Sequence, residues 1–297
     1  MSQKFYRIGE NLNVVTKIYG QAMKDRDPKP LQKVAEEEAA KGVDFIDVNI
    51  GPARKGGEEL MTWIVQIIQE VVPNIPLALD TSNIAAMEAG LKVHKGRALI
   101  NSIMARPERM DGMMPLVKKY DADMIGLLWG PEGMPRDEHE RGMLTAEILA
   151  KAAEYDIENE RIWFDPIIAP LNIQQTQLIS AMDYMAMLQD MAPGSKSTCG
   201  LSNSSNGVPE HLRPIINRAY VIMLQRNGMV SAIVDAFDDE LWDVVDGKKP
   251  EAVKVVHDIM DGKSINIAAL PKDLQNYAKT ARVILGQVLF SDSWLEI

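Results

Sequence analysis

Cysteine is almost absent from this sequence. Cys199 stands alone among 297 residues, so no internal disulfide can form and zinc sites built on paired thiolates are excluded. By itself it reads as a small buried hydrophobe. Basic charge is also short, with 32 Lys and Arg against 42 Asp and Glu, a formal net charge of −10. That balance repels a polyphosphate backbone and argues against nucleic acid as a partner. No apolar run is long enough to span a bilayer, and Met1–Gly9 lacks the basic and apolar segments of a secretory signal. The expectation is a cytoplasmic protein without a membrane association. Histidine is sparse: His94, His139, His211 and His257 lie far apart, with no pair at ligand spacing, and predict helical or surface positions and no bound metal. Gly262-Lys263-Ser264 has the form of the end of a phosphate loop, but His257 occupies the place of its opening glycine and the motif fails.

What is present is alternation. Short β-type runs occur at Phe5–Gly9, Phe45–Asn49, Leu77–Asp80, Ala98–Ser102, Met124–Leu128, Arg161–Phe164, Ser197–Leu201 and Ala232–Asp235. Between them lie segments of helical period at Leu31–Lys41, Ile84–Val93, Arg109–Lys119, Glu138–Tyr155, Thr176–Asp190 and Glu210–Arg226. After the second run, Leu60, Trp63, Ile64, Ile67, Ile68 and Val71 recur at intervals of three and four, the stripe of a helix packed on one face. This pattern predicts an α/β protein, a (β/α)8 TIM barrel, as a single domain over residues 1–297. Asp246–Asn276 reads as an elaboration before a final apolar helix at Ala281–Phe290. Most of the 18 methionines read as core filler, while Met113 and Met114 fall in a stretch that could instead line a partner surface.

In such a barrel the carboxyl ends of the strands meet on one face, where chemistry sits. The residues ending the runs are Glu10, Asn11, Asn13, Asn49, Asp80, Asn101, Asp165, Ser202, Asn203, Asp235 and Asp238. They are carboxylates, carboxamides and a hydroxyl, without lysine, histidine or cysteine. A carboxylate accepts two N–H bonds from an aminopyrimidine edge, and Asn offers both a donor and an acceptor to a lactam. The competing reading is helix capping, for which Asp80 before Thr81-Ser82-Asn83 is well placed. Asp80, Asn101, Asp165 and Asn203, of the same polar class at the same end of four strands, favour a pocket over four separate caps.

The ordered motifs Gly9-Glu10-Asn11-Leu12-Asn13, Asp47-Val48-Asn49-Ile50-Gly51-Pro52, Leu79-Asp80-Thr81-Ser82-Asn83, Ile100-Asn101-Ser102, Phe164-Asp165-Pro166, Gly200-Leu201-Ser202-Asn203 and Arg213-Pro214-Ile215-Ile216-Asn217-Arg218 carry a resemblance. The sequence resembles the methyltetrahydrofolate:corrinoid protein methyltransferases, relatives of the methyltransferase serving the corrinoid iron–sulfur protein and of the pterin domain of cobalamin-dependent methionine synthase. The resemblance implies a pterin-binding barrel of the dihydropteroate synthase type. It implies that Asp80, Asn101 and Asp165 hold the pterin ring, and that Asn203 reaches N5, the nitrogen carrying the methyl group. Gly200 and Ser202 belong to the same pterin set. Glu10, Asn13 and Asn49 are further candidates for the same site, and the residues matching Asn206 and Arg213 lie near the folate in relatives, here on a loop longer than in the family.

The implied reaction moves a methyl group between N5 of methyltetrahydrofolate and the cobalt of a corrinoid (cobalamin) on a partner protein. The chain is then expected to be a homodimer. A tertiary amine is a poor leaving group, so N5 must gain a proton or a strong hydrogen bond, a task suited to the carboxamide of Asn203. Dihydropteroate synthase resembles the chain less well, since Ser202-Asn203-Ser204 stands where that family carries a basic segment. A zinc-dependent thiol methyltransferase would need His and Cys at strand ends. A noncatalytic folate-binding subunit is the remaining alternative.

Overall fold

The computed structural model describes residues 4–53 and 55–296, so the first three residues of the Met1–Gly9 segment lie outside the described residues. Eight strands form one sheet: β1 (Tyr6–Gly9), β2 (Phe45–Asn49), β3 (Leu77–Asp80), β4 (Leu99–Met104), β5 (Asp123–Leu127), β6 (Ile162–Asp165), β7 (Lys196–Ser197) and β8 (Ser231–Val234). Neighbours follow chain order and pair in parallel, and β8 lies against β1. The circle closes between β7 and β8 through a single parallel bridge, Gly200 to Ile233, where the Ile233 N–H donates to the Cys199 carbonyl at 2.8 Å. This is the eight-stranded (β/α) barrel expected from the alternation.

Eleven helices are described: α1 (Lys17–Asp25), α2 (Pro28–Ala40), α3 (Gly57–Val71), α4 (Ile84–Val93), α5 (Pro107–Lys119), α6 (Glu138–Glu154), α7 (Gln175–Met191), α8 (Arg213–Arg226), α9 (Asp239–Val245), α10 (Pro250–Met260) and α11 (Lys272–Ile284). Local chemistry sets their starts. Asp27 accepts from the Lys29 N–H with Pro28 opening α2, and Asn83 accepts from Ala85 and Ala86 at the start of α4. The apolar stripe on α3 buries Met61, Ile64, Val65, Ile67 and Ile68 in the core outside the sheet. Inside the barrel a separate floor of Ile8, Ala78, Leu99, Ile125, Trp163 and Ile233 packs on Tyr6 and Phe45. Trp163 meets both rings edge-on, at centroid distances of 5.1 and 5.6 Å.

Several boundaries differ from the sequence expectation. The seventh run does not extend to Leu201: β7 has two residues, and the small polar segment Leu201–Ser205 turns into a 3-10 helix. Its Ser and Asn side chains compete for backbone groups and favour turns over a ladder. Strand β4 continues past Ser102 to Met104, with a register shift between Ile100 and Ile103. The last helix is Lys272–Ile284, not Ala281–Phe290, because Gly286, at φ +67°, ends it. Helix α10 occupies much of the Asp246–Asn276 stretch and packs on α8, α9 and α11. Met113 and Met114 are fully buried in α5, which removes them from any partner surface. Cys199 is buried as expected.

Candidate active site

The strand ends enclose a cleft of about 390 Å³ at the carboxyl face. Of the residues singled out in the sequence, Glu10, Asn13, Asn49, Asp80, Asn101, Asp165, Gly200 and Asn203 line it. Ladder register explains three of them. Asn49 pairs with Asp80, and Asp80 with Asn101, so adjacent strands set these side chains in one row. Leu127 and Asp165 are likewise in register on β5 and β6.

Hydrogen bonds separate the pocket reading from the capping one. Asn83, not Asp80, caps α4, which leaves the Asp80 carboxyl to the cleft, where Asn49 Nδ2 donates to it. Asp238 is a cap: it accepts from the Leu241 N–H at 3.0 Å and pairs with Arg218. Asn11 and Asp235 bond each other at 2.8 Å and tie the β1 and β8 loops together. Ser202, Asn206 and Arg213 do not line the cleft. Ser202 Oγ donates to Glu10, and Arg213 Nε reaches Ser205 Oγ at 3.3 Å.

Asp47, which the strand-end reading passed over, also belongs here. It lies two residues before Asn49 on the same face of β2, is 2% exposed, and accepts from Asn101 Nδ2 at 2.9 Å. Its place inside a run rather than at the end hid it, although the two-residue period was the available signal.

Burial dominates the electrostatics. Desolvation above the apolar floor pushes Glu10 and Asp80 up to about 7. Asp47 is raised well above the usual range by burial and by the charge of Asp80. Asp165 rises to about 6, held down from further rise by N–H groups of Ile167 and Gly200 and by Arg141. Behind the cleft, Glu38 on α2 is driven to about 8 by burial, although it accepts from the Asn11 N–H at 3.0 Å. Gly9 admits this carboxyl: a Cβ there would come within 2.4 Å of Glu38 Oε1. At neutral pH the site therefore holds both carboxylates and carboxylic acids.

Asn203 differs from its neighbours. It is exposed at the cleft lip, in the 3-10 turn after β7, and its carboxamide makes no hydrogen bond to any described residue. It folds back over Gly200, where a Cβ would stand 2.9 Å from Asn203 Nδ2. The turn after Asp165 is held by Arg141, which is fully buried and donates to the Pro166 carbonyl, Ser180 and Gln177 at 2.7–2.8 Å.

The profile of the pterin binding enzyme family matches residues 9–235, from the end of β1 to just past β8. The chain belongs to that family. Among curated relatives, the methylcorrinoid:tetrahydrofolate methyltransferase of Eubacterium limosum is 26% identical over 230 residues, covering 77% of this chain and 84% of that protein. The methionine synthase of Mycobacterium leprae is 25% identical over 240 residues, 77% of this chain but 20% of that longer protein. Solved structures with this pterin-binding fold include the dihydropteroate synthase of Clostridium difficile, with TM-score 0.64, 17% identity, and coverage of 84% of this chain and 97% of that one. That of Xanthomonas albilineans gives 0.62 at 19% identity, over 82% and 93%. These two likenesses concern the fold.

Proposed function

We propose that this pterin-binding barrel is a methyltransferase that moves a methyl group between N5 of methyltetrahydrofolate and the cobalt of a corrinoid carried by a partner protein. The observation that carries the reading is an unpartnered carboxamide, Asn203, at the lip of a cleft walled by acids and carboxamides. The activities for which the two curated relatives are named support it, as does the family match.

In this reading Asp80 and Asp165 accept the N–H donors of the aminopyrimidine edge and Asn101 completes the ring's hydrogen bonds. Asn203 donates to or accepts from N5 as its charge changes, an interaction that strengthens in the transition state. As the cobalt(I) electron pair forms the Co–CH3 bond, the N5–CH3 bond breaks and its pair stays on N5 beside the lone pair already there. A proton must then reside on N5, and the cleft acids, partly protonated near neutrality, supply a local reservoir. The partner must approach the mouth. Val15, Ile173 and Phe237, exposed in the loops after β1, β6 and β8, give it an apolar rim there. A homodimer in the cytoplasm is part of the same reading, and sedimentation tests the former.

Dihydropteroate synthase activity is disfavoured by Ser202-Asn203-Ser204, because the described residues after β7 contribute no basic side chain to the cleft. The decisive assay mixes the protein with methyltetrahydrofolate and cobalamin reduced to cobalt(I). Decay of the cobalt(I) absorbance dependent on both protein and methyl donor is the expected result. Tight folate binding without any transfer to free or protein-bound corrinoid would instead support a noncatalytic folate-binding subunit.

A further inference from the structure

Arg109 is the single basic side chain among the described residues lining the cleft. As the third residue of α5 it is half-buried, and its Nε is enclosed without a hydrogen-bond partner among the described residues. Its one side-chain hydrogen bond to a described residue runs from Nη2 to the Met113 sulfur, at 3.7 Å. A guanidinium carries five donors in a rigid fork and stays charged, so burying it with its donors unmet is costly unless something else meets them.

The cleft acids do not fill that role. Glu10 is held by Ser202, Asp47 by Asn101, Asp80 by Asn49, and Asp165 by the Ile167 N–H. Glu108, the charge acting on Arg109, is its exposed neighbour on the same helix. One cleft thus presents acceptors already braced for N–H donors and, separately, a braceless cation. Met104 and Leu127, the last residues of β4 and β5, add apolar wall suited to an aromatic linker. A folate has this polarity: N–H donors on the pterin edge, an aromatic ring, and carboxylates on its glutamate end.

We propose that Arg109 binds a carboxylate of the folate's benzoylglutamate end and makes the site select folates over unconjugated pterins. The inference rests on the folate reading above and names the residue that recognises the anionic end.

The test compares dissociation constants for methyltetrahydrofolate and for 6-methyltetrahydropterin, which keeps the reduced ring and lacks the benzoylglutamate. Both are measured on the parent protein, Arg109→Gln and Arg109→Lys, at low and high salt. Loss of a charged hydrogen bond should weaken folate binding by about ten- to hundredfold in Arg109→Gln. Pterin binding should stay within about twofold, since none of its contacts involve the tail; this also reports that the variant is folded. Arg109→Lys should recover part of the loss, and high salt should narrow the gap between folate and pterin in the parent. Equal weakening of both ligands, or of neither, overturns the proposal while the folate reading stands. A parent protein that binds neither ligand overturns both.

Discussion

Glu38 is a buried acid whose charge the fold disfavours. It is fully buried, one carboxyl oxygen has no partner among the described residues, and its pKa is pushed up to about 8 from the ordinary 4.5. A raised folded pKa means that its stabilising contribution is complete below the unfolded value and is lost as pH rises from about 4.5 through about 8. Glu38→Gln keeps the acceptor for the Asn11 N–H and removes the charge. It should raise the melting temperature at pH 8.5 by an amount worth on the order of a few kcal/mol, with the gain vanishing near pH 5. A gain independent of pH would disprove this origin. In the cleft, two variants separate the proposed roles. Asn203→Ala should slow single-turnover methyl transfer far more than it weakens folate binding, because its partner develops in the transition state. Equal rates in variant and parent would refute that role. Asp165→Asn should chiefly weaken pterin binding, by about tenfold or more, through loss of a charged acceptor. An unchanged dissociation constant would sink the assignment.

At the scale of elements, the site depends on how helices hold the loops that follow the strands. Arg141 reaches from α6 beneath the β6 end and binds the Pro166 carbonyl at 2.8 Å and, more loosely, that of Ile167 at 3.4 Å. Ile167 sits at φ +63°, an unfavourable region for a β-branched residue, and its N–H braces Asp165. Arg141→Met fills much of the space but leaves buried carbonyls, Ser180 and Gln177 without their donor. Chemical denaturation should show a loss of roughly 3 kcal/mol or more, and folate affinity should fall with it. Normal affinity in a destabilised variant would mean that the Asp165 turn is held by other contacts.

For the whole molecule, the barrel and its C-terminal helices share one packing. Tyr277, Ala281 and Ile284 of α11 and Val255, Val256 and Ile259 of α10 are buried in the same cluster as the outer faces of α7 and α8. A chain cut after Asp246 would expose the α8 surface they cover. It should lose cooperative unfolding, read as a broad calorimetric transition, and should aggregate. A sharp transition would show that the first eight strands and their helices are self-sufficient.

Much of the cleft's lining was legible in the sequence. Strand β3, ending on Asp80, and β2, ending on Asn49, lie where the apolar runs placed them, because a buried parallel strand needs a continuous apolar segment and a polar stop. The order of polar residues at the strand ends followed from the same alternation. Tertiary structure decided what each of them does. Asp80 and Asp238 look alike as acids before a helix, yet Asn83 takes over the cap in one case and none does in the other. Asp47 and Glu38 reach the site's electrostatics from inside a strand and from a helix, and only packing brings them there. Arg109 follows the same rule. Sequence fixes that a cation follows β4, but whether a charge is paired depends on every neighbour that folding brings within reach, and those neighbours come from strands far apart in the chain.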